Sequence, residues 1–375
     1  MSLLQDAGCY VPPPAGQDWR QMAPDAAGFD PAALSEAAHL AETAETPWPI
    51  DLEAKIAGGF FEPPPWNEIL GPVAPRGAPN GLLLKGGAIV ARWGDTQRVD
   101  MTFSVAKSYL SLLAGIAVGD GLIGDIDEPV GARVRDGGFE GHNAPITWRH
   151  LLTQTSEWEG SLFGKSDEID RNRALGQDNT GLPPRSTERA LQAPGSFWEY
   201  NDVRVNRLAL SLLRVFRRPL PEVFAERIMQ PIGASDSWRW EGYRNSNVEV
   251  GGRPMLSVPG GGHWGGGVFI HAEDQARIAL LAGRDGLWGD RRILPEGWMA
   301  ASRAPTRVEP GYGFLWWLNS GRAKYPAASA ESFFALGTGG NICWIDPEND
   351  LVGVTRWIDP ARMNDFIASV MEARA

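Results

Sequence analysis

A serine and a lysine three residues apart stand out in a stretch that carries no other charge. From Met101 to Gly119 the chain reads MTFSVAKSYLSLLAGIAVG, in which Lys107 is the single charged residue and Ser104 precedes it by three positions. The apolar spacing predicts a buried helix, on which residues three apart share a face. A dry environment favours a neutral amine, and a neutral amine beside a hydroxyl activates serine as a nucleophile. The pair therefore predicts serine-hydrolase chemistry.

The spacing alone is a weak signal, because Ser-x-x-Lys occurs about once by chance in a chain of this length. Lys107 is nevertheless the only one of five lysines with a serine three residues upstream. The alternative interpretation is a lysine at a helix edge that reaches water, with Ser104 as an ordinary first-turn residue. Other motifs must decide between the two.

Two downstream segments carry residues that suit the same chemistry. PGSFWEYND places Tyr200 just before a predicted helix that begins near Val203. A tyrosine beside an ammonium can carry a proton to a leaving group, although a packed aromatic is the simpler interpretation. LGTGGN, at 336–341, precedes a predicted strand. Glycines there would let a substrate approach backbone N–H groups, although a β-bulge would also explain them.

Composition restricts the partners of the chain. A net charge of -11 over 375 residues disfavours nucleic acid and anionic membranes, which this field would repel, and favours small substrates. Cys9 and Cys343 are the only cysteines, so no disulfide framework is predicted. The N-terminal residues MSLLQDAGCYVPPP lack the pattern of a secretion signal, and a cytoplasmic location is predicted.

The order of the predicted elements favours an α+β fold. A Pro-rich arm is followed by a hairpin around Gly86-Gly87, and further strands are predicted after residue 310. Strands at both ends predict one antiparallel sheet flanked by helices, with a mostly helical domain inserted between them. The predicted boundaries are 1–119 for the arm and the first part of the α/β domain, 120–300 for the insertion, and 301–375 for the remainder. A cleft between the two layers is the expected site.

Motifs for cofactors and metals are not found. The five histidines have no metal-ligand spacing, and GGGHWG at 260–265 lies outside any predicted βαβ unit. We therefore expect neither a metal nor a cofactor. A GxSxG elbow is also missing, which disfavours the usual α/β-hydrolase.

Taken in order, six motifs make the chain resemble the serine β-lactamase and penicillin-binding-protein superfamily. They are FSVAKS, LLTQTS, PGSFWEYND, ERIMQPIGASD, GGGVFIHAEDQAR and GTGGNICWIDP. The resemblance covers roughly residues 80 to 370, and the chain is most similar to class C-like esterases and 6-aminohexanoate-dimer hydrolases. It implies a β-lactamase-like fold.

The resemblance also implies roles for individual residues. Ser104 would be the acylated nucleophile, Lys107 its base and Tyr200 the proton carrier. The oxyanion hole would combine the N–H of Ser104 with one from the segment Gly339–Gly340. No cofactor is implied.

Two positions depart from the motifs of the superfamily. The third position of Tyr-x-Asn is Asp202, and Lys-Thr-Gly is replaced by Gly337-Thr338-Gly339. The missing lysine would hold a substrate carboxylate, and an aspartate in the cleft would repel one. Penicillins and D-Ala-D-Ala peptides thus become poor candidates, whereas amine-bearing or neutral substrates fit better. Alternatively, Asp202 caps the following helix.

Further residues are predicted to contact substrate. Those in glycine-rich or motif-adjacent segments are His263, Trp264, Thr338, Gly339 and Gly340, and Trp158 and Trp198 are candidates for the pocket wall. For His263 an ordinary loop histidine is the alternative.

The sequence thus predicts a serine hydrolase that forms an acyl-enzyme on a small carboxylic ester or, second, a linear amide. A β-lactamase or a D-amino-acid peptidase is one alternative. A non-catalytic ligand-binding protein on the same fold is another. The sequence predicts no oligomeric state.

Overall fold

The computed structural model describes residues 10–171 and 189–374 and has an α+β architecture. Cys9 lies outside the described residues, and Cys343 is buried with a free thiol. The described α-helices are α1 (Pro31–Thr43), α2 (Leu52–Ala57), α3 (Val105–Gly119), α4 (Trp148–Leu152), α5 (Asp167–Asp170), α6 (Asp202–Phe216), α7 (Leu220–Phe224), α8 (Ala272–Gly283), α9 (Trp298–Ser302) and α10 (Met363–Glu372).

The strands are mostly short and belong to one large sheet and several small ones. They are β1 (Asn80–Lys85), β2 (Ala88–Trp93), β3 (Asp100–Met101), β4 (Ser161–Leu162), β5 (Lys165–Ser166), β6 (Arg239–Glu241), β7 (Asn247–Val250), β8 (Arg253–Leu256), β9 (Gly267–Ile270), β10 (Leu287–Trp288), β11 (Arg291–Arg292), β12 (Trp317–Leu318), β13 (Phe333–Gly337), β14 (Asn341–Asp346) and β15 (Leu351–Arg356).

The large sheet joins the two ends of the described chain. Its order is β12-β13-β14-β15-β1-β2, and every neighbouring pair is antiparallel. Strand β1 turns into β2 through Gly86 and Gly87, whose φ angles of 59° and 83° suit a tight hairpin turn. The predicted fold, an antiparallel sheet built from distant segments, is confirmed.

Helices cover both faces of the large sheet. Because side chains alternate along a strand, Leu83 packs with helices α1 and α10 on one face, whereas Leu82 and Leu84 join the cluster that includes α3 and α8 on the other. Helix α8 lies within the predicted insertion 120–300 and yet packs on β1, β14 and β15. The boundaries at residues 119 and 300 stay a prediction.

Helix α3 connects the sheet to the helical segments. It packs on β13 and β14 on one side and on α6 and α7 on the other, and all but its last residues are buried. Its N-terminus therefore lies where the layers meet. Across 10–171 and 189–374, no helix has the length and apolarity needed to cross a bilayer.

Buried charges hold the start of helix α6. Arg204 contacts the carboxylates of Glu157 at 2.7 Å and of Asp167 and Glu199 at 3.2 Å. Burial by itself would raise the pKa of Glu157, but the hydrogen bond from Arg189 and the charge of Arg204 lower it to about 2. The network places the first turn of α6, and with it Asp202, beside helix α3.

We predict that Glu157→Gln lowers the free energy of unfolding at neutral pH. The free energy of unfolding of the variant should also change less with pH than that of the wild type. A carboxyl whose pKa is lowered on folding stabilises the protein above about pH 4.5, and this contribution is lost as the pH falls toward 2. The variant should lose about 3 kcal/mol of unfolding free energy at pH 7. Urea denaturation of both proteins between pH 3 and 7 measures this.

The exposed neighbour Glu159 supplies the matched control. Glu159→Gln should retain both the stability and the pH dependence of the wild type. An acid-induced decline in Glu157→Gln as steep as that in the wild type would contradict the prediction.

Candidate active site

A strained residue positions Ser104. Phe103 has a φ of 50°, a left-handed conformation that is costly for a bulky side chain. Its buried ring packs against Trp48, Phe61 and Trp357, with centroids 5.5, 6.0 and 6.4 Å away, and this packing holds the turn. Ser104 follows as the N-cap residue of α3. At this end of a helix, N–H groups lack intrahelical partners and the dipole favours negative charge.

The predicted serine and lysine are in contact. Lys107 Nζ donates a hydrogen bond to Ser104 Oγ at 2.7 Å. Only 1% of Lys107 is exposed, so it is not a helix-edge lysine that reaches water. This arrangement places an amine within proton-transfer distance of a hydroxyl that lines a cavity.

Asp202 is the second partner of Lys107. Its Oδ1 accepts a hydrogen bond from Lys107 Nζ at 2.6 Å. Asn201, rather than Asp202, caps α6, because its Oδ1 accepts from the N–H of Arg204 and its Nδ2 donates to the carbonyl of Asp167. The capping alternative for Asp202 is therefore wrong. Asp202 lines the cavity, and its charge is already engaged within the protein.

His263 extends this chain of contacts. Its Nδ1 lies 3.4 Å from Asp202 Oδ2, and its Nε2 lies 2.5 Å from Glu62 Oε1. Its ring stacks on Phe61 at 4.7 Å. His263 lines the cavity, as predicted, but it is buried among protein partners. Glu62 was missed because it is 201 residues away in the sequence, in a Pro-rich segment with no motif.

The carboxylates around His263 form a compact group. Glu62, Asp170 and His263 each place a potential ligand atom within 4.8 Å of the others. Glu62 bonds to His263, and a carboxylate oxygen of Asp170 accepts from the backbone N–H of Asp202. Since these contacts account for the arrangement as a hydrogen-bond network, we assign no metal to it.

Tyr200 lies against the same amine. Lys107 Nζ is 4.8 Å from the centroid of the Tyr200 ring, which stacks on Trp317 at 5.6 Å. Tyr200 is 6% exposed and lines the cavity. Ser104, Lys107 and Tyr200 thus come together as predicted, while the role of each stays a prediction.

The turn between β13 and β14 forms the opposite side of the cavity. Its residues Thr338, Gly339 and Gly340 all line the cavity. Gly340 has a φ of 82°, and a Cβ there would lie 1.7 Å from the carbonyl oxygen of Ile358. Only glycine fits at this position, because the backbone packs directly against Ile358.

Arg356 ties this turn to the strand that leads to Ser104. Its guanidinium donates to Asn341 Oδ1 at 2.6 Å and to the carbonyl oxygen of Met101 at 2.8 Å. Asn341 in turn donates to the carbonyl oxygen of Thr338. Burial lowers the pKa of Arg356. The two sides of the cavity are thus held by one buried side chain.

Gly337 explains the departure from Lys-Thr-Gly. A Cβ at this position would lie 2.0 Å from the carbonyl oxygen of Thr102 and 3.2 Å from Val105 Cγ2. The backbone of β13 therefore approaches β3 and α3 too closely for any side chain. A lysine cannot be accommodated here without moving the strand.

The cavity has a volume of about 610 Å³ and an aromatic wall. The aromatic residues of the wall, besides Tyr200, are Trp48, Phe60, Phe61, Phe103, Trp317 and Tyr325. The first three belong to the N-terminal arm, which sequence patterns did not link to the site.

Three tryptophans proposed for the pocket lie elsewhere. Trp264 is fully buried and donates to the carbonyl oxygen of Trp66. Trp158 is buried and donates to the carbonyl oxygen of Gly138, and Trp198 packs beside Tyr312. None of the three lines the cavity. Glycine-rich surroundings were therefore a poor guide to the wall, since these rings are used in packing.

Comparison with known proteins identifies the relationship. A family model described as Beta-lactamase matches residues 84–356. A penicillin-binding-protein homologue from Caulobacter crescentus is 16% identical with a TM-score of 0.59, covering 96% of this chain and 100% of that one. EstCE1, described as a hydrolase with promiscuous acyltransferase activity, is 16% identical with a TM-score of 0.57, covering 91% and 98%.

A third similar structure is described as a putative 6-aminohexanoate-dimer hydrolase from Bacillus anthracis, with 15% identity, a TM-score of 0.56 and coverage of 95% and 86%. No curated protein matches the sequence. At these identities the solved structures establish only the fold. The family model spans most of the chain, so it establishes membership of the family and supports a hydrolase. The chain belongs to the Beta-lactamase family, within the serine β-lactamase and penicillin-binding-protein superfamily.

Proposed function

We propose that this protein is a serine hydrolase that forms an acyl-enzyme on carboxylic esters, with linear amides as second substrates. The observation that carries the proposal is the 2.7 Å contact between Ser104 Oγ and a buried Lys107 at the edge of a 610 Å³ cavity. Esters come first because their leaving groups need less protonation than those of amides.

The mechanism follows from the positions of the groups. Ser104 Oγ attacks the carbonyl carbon while its proton passes to Lys107 Nζ, and a C–O bond forms. The oxyanion is stabilised by the N–H of Ser104 and an N–H of the segment Gly339–Gly340. The C–O or C–N bond then breaks, and Tyr200 carries the proton to the leaving group. Water attacks the ester of Ser104 by the same steps, which releases the acid and restores the serine.

The site gives little support to a β-lactamase or a D-amino-acid peptidase. Gly337 leaves no room for a lysine at the motif position that would hold a substrate carboxylate, and Asp202 contributes a carboxylate to the cavity. Lys324 also lines the cavity, but its amine lies over the ring of Trp317. Because Lys107 and His263 engage Asp202, a substrate amine has less to gain from it, and neutral esters become the better candidates. The similar structures described as a hydrolase with promiscuous acyltransferase activity and as a putative 6-aminohexanoate-dimer hydrolase agree with hydrolysis by acyl transfer.

The proposal is tested by the turnover of p-nitrophenyl butyrate. The wild type should hydrolyse this ester, and Ser104→Ala should lower kcat by roughly 10³-fold or more because the nucleophile is lost. Ser108→Ala, on the same helix but bonded to the carbonyl of Leu315, is the control and should retain activity. A folded wild type without turnover would overturn the proposal and favour a non-catalytic binding protein.

The aromatic wall predicts a preference for longer acyl chains. Phe60→Ala should lower kcat/KM for p-nitrophenyl octanoate by about tenfold and for the acetate much less, since apolar contact is lost only for the longer chain. Phe216→Ala, at the end of α6 and outside the cavity, serves as the control. An equal loss for both esters in Phe60→Ala would argue against this wall as the acyl site.

Cephalosporins should be poor substrates. We expect kcat/KM for nitrocefin to be at least about 100-fold below that for p-nitrophenyl butyrate, because Gly337 stands at the motif position of the carboxylate-binding lysine and Lys324 of the cavity wall lies over the Trp317 ring instead. Parallel assays with the two chromogenic substrates measure the ratio. Nitrocefin hydrolysis as fast as that of the ester would support the β-lactamase alternative.

A further inference from the structure

The partner of Lys107 creates a difficulty for its role as a base. A buried carboxylate 2.6 Å away stabilises the ammonium form of a lysine. An ammonium cannot accept the proton of Ser104, so Lys107 must lose one proton before each attack. The question is which group takes that proton.

The geometry offers a destination for it. Asp202 contacts Lys107 with Oδ1 and His263 with Oδ2, at 2.6 and 3.4 Å. It therefore bridges two bases that can each hold a proton. On the far side of the imidazole, Glu62 Oε1 lies 2.5 Å from Nε2, where it would balance the charge of an imidazolium. All four residues are at most 4% exposed.

We propose that His263, held by Glu62, accepts the proton that Lys107 must lose before it can act as the base. His263 and Glu62 are then positioning residues for catalysis by Lys107. This inference rests on the proposed function. In the resting site Lys107 is an ammonium and His263 carries a hydrogen on Nε2. One N–H bond breaks at Lys107, Asp202 passes the proton on, and one N–H bond forms at His263 Nδ1. The total charge of the group does not change, so no charge has to enter or leave the interior.

The surrounding charges favour a proton on His263. The titratable groups near the imidazole come from several elements: Glu62 from the arm, Lys107 from α3, Lys165 from β5, Asp170 from α5, Tyr200, Asp202 from α6, and Tyr243. Three of these groups are carboxylates, against two lysines, of which Lys165 lies over the ring of Trp264. A positive imidazolium is therefore matched by negative neighbours.

The test is the pH profile of kcat/KM for p-nitrophenyl butyrate in His263→Asn and Glu62→Gln. When the proton acceptor His263 is removed, or when Glu62 no longer balances the charge of its imidazolium, Lys107 stays charged to higher pH. The acid limb should move up by about one pH unit or more, activity at pH 7 should fall about tenfold, and activity at alkaline pH should approach that of the wild type. The rate of fluorophosphonate labelling should follow the same profile.

The control is His271→Asn, a buried histidine that caps α8 and contacts Ser235 and Asp274 away from the site. Its acid limb should coincide with that of the wild type. If both His263→Asn and Glu62→Gln lose activity equally at every pH, or lose none, the proton-transfer role is wrong and the residues are structural. Absence of turnover in the wild type would instead overturn the proposed function itself, so the two failures are distinguishable.

Discussion

The site depends on keeping the amine of Lys107 dry while surrounding it with oxygen atoms. Removing an ammonium from water is costly, and a buried ion pair is tolerated only where its remaining hydrogen-bonding groups are satisfied. Lys107 meets Ser104 and Asp202 at 2.7 and 2.6 Å, and the face of Tyr200 lies beside it. Helices α3 and α6 must therefore stay in register with each other. The charge network under α6, centred on Arg204, keeps that register.

A second constraint acts on the backbone. The left-handed Phe103 turns the chain from β3 into α3, and its ring is held by aromatic residues of the arm. Arg356 joins the carbonyl of Met101, just before this turn, to Asn341 beside the glycine turn. The nucleophile and the opposite wall are thus supported by the same buried guanidinium. An oxyanion site needs such rigidity, because its N–H groups stabilise charge only when they are already in place.

Local patterns predicted the parts of the site that lie close together in sequence. Ser104 and Lys107 were found because three residues along a helix define a face, and Tyr200 because it precedes a helix in a recognisable order of motifs. The antiparallel sheet followed from strands at both ends of the chain. Whether Asp202 lies in the cleft or caps α6 was left open, since an aspartate before a helix can do either and only the packing of α6 on α3 decides that it faces Lys107.

Contacts between distant segments were not predictable in this way. Glu62 and the aromatic residues Trp48, Phe60 and Phe61 come from a Pro-rich arm without periodicity, and they reach the cavity only through the folded chain. Trp264 was assigned to the pocket on its glycine-rich surroundings, but its ring is fully buried. The close approach of Gly337 to Thr102 explains the missing lysine, and it too is visible only in three dimensions.

The most direct test of the central claim is the intact mass of the wild type and of Ser104→Ala after treatment with a fluorophosphonate, followed by peptide mapping. A nucleophile activated by Lys107 should give one adduct on the wild type, located on Ser104, and none on the variant. An unlabelled, correctly folded wild type, or an adduct on any other residue, would contradict the assignment of Ser104 as the nucleophile.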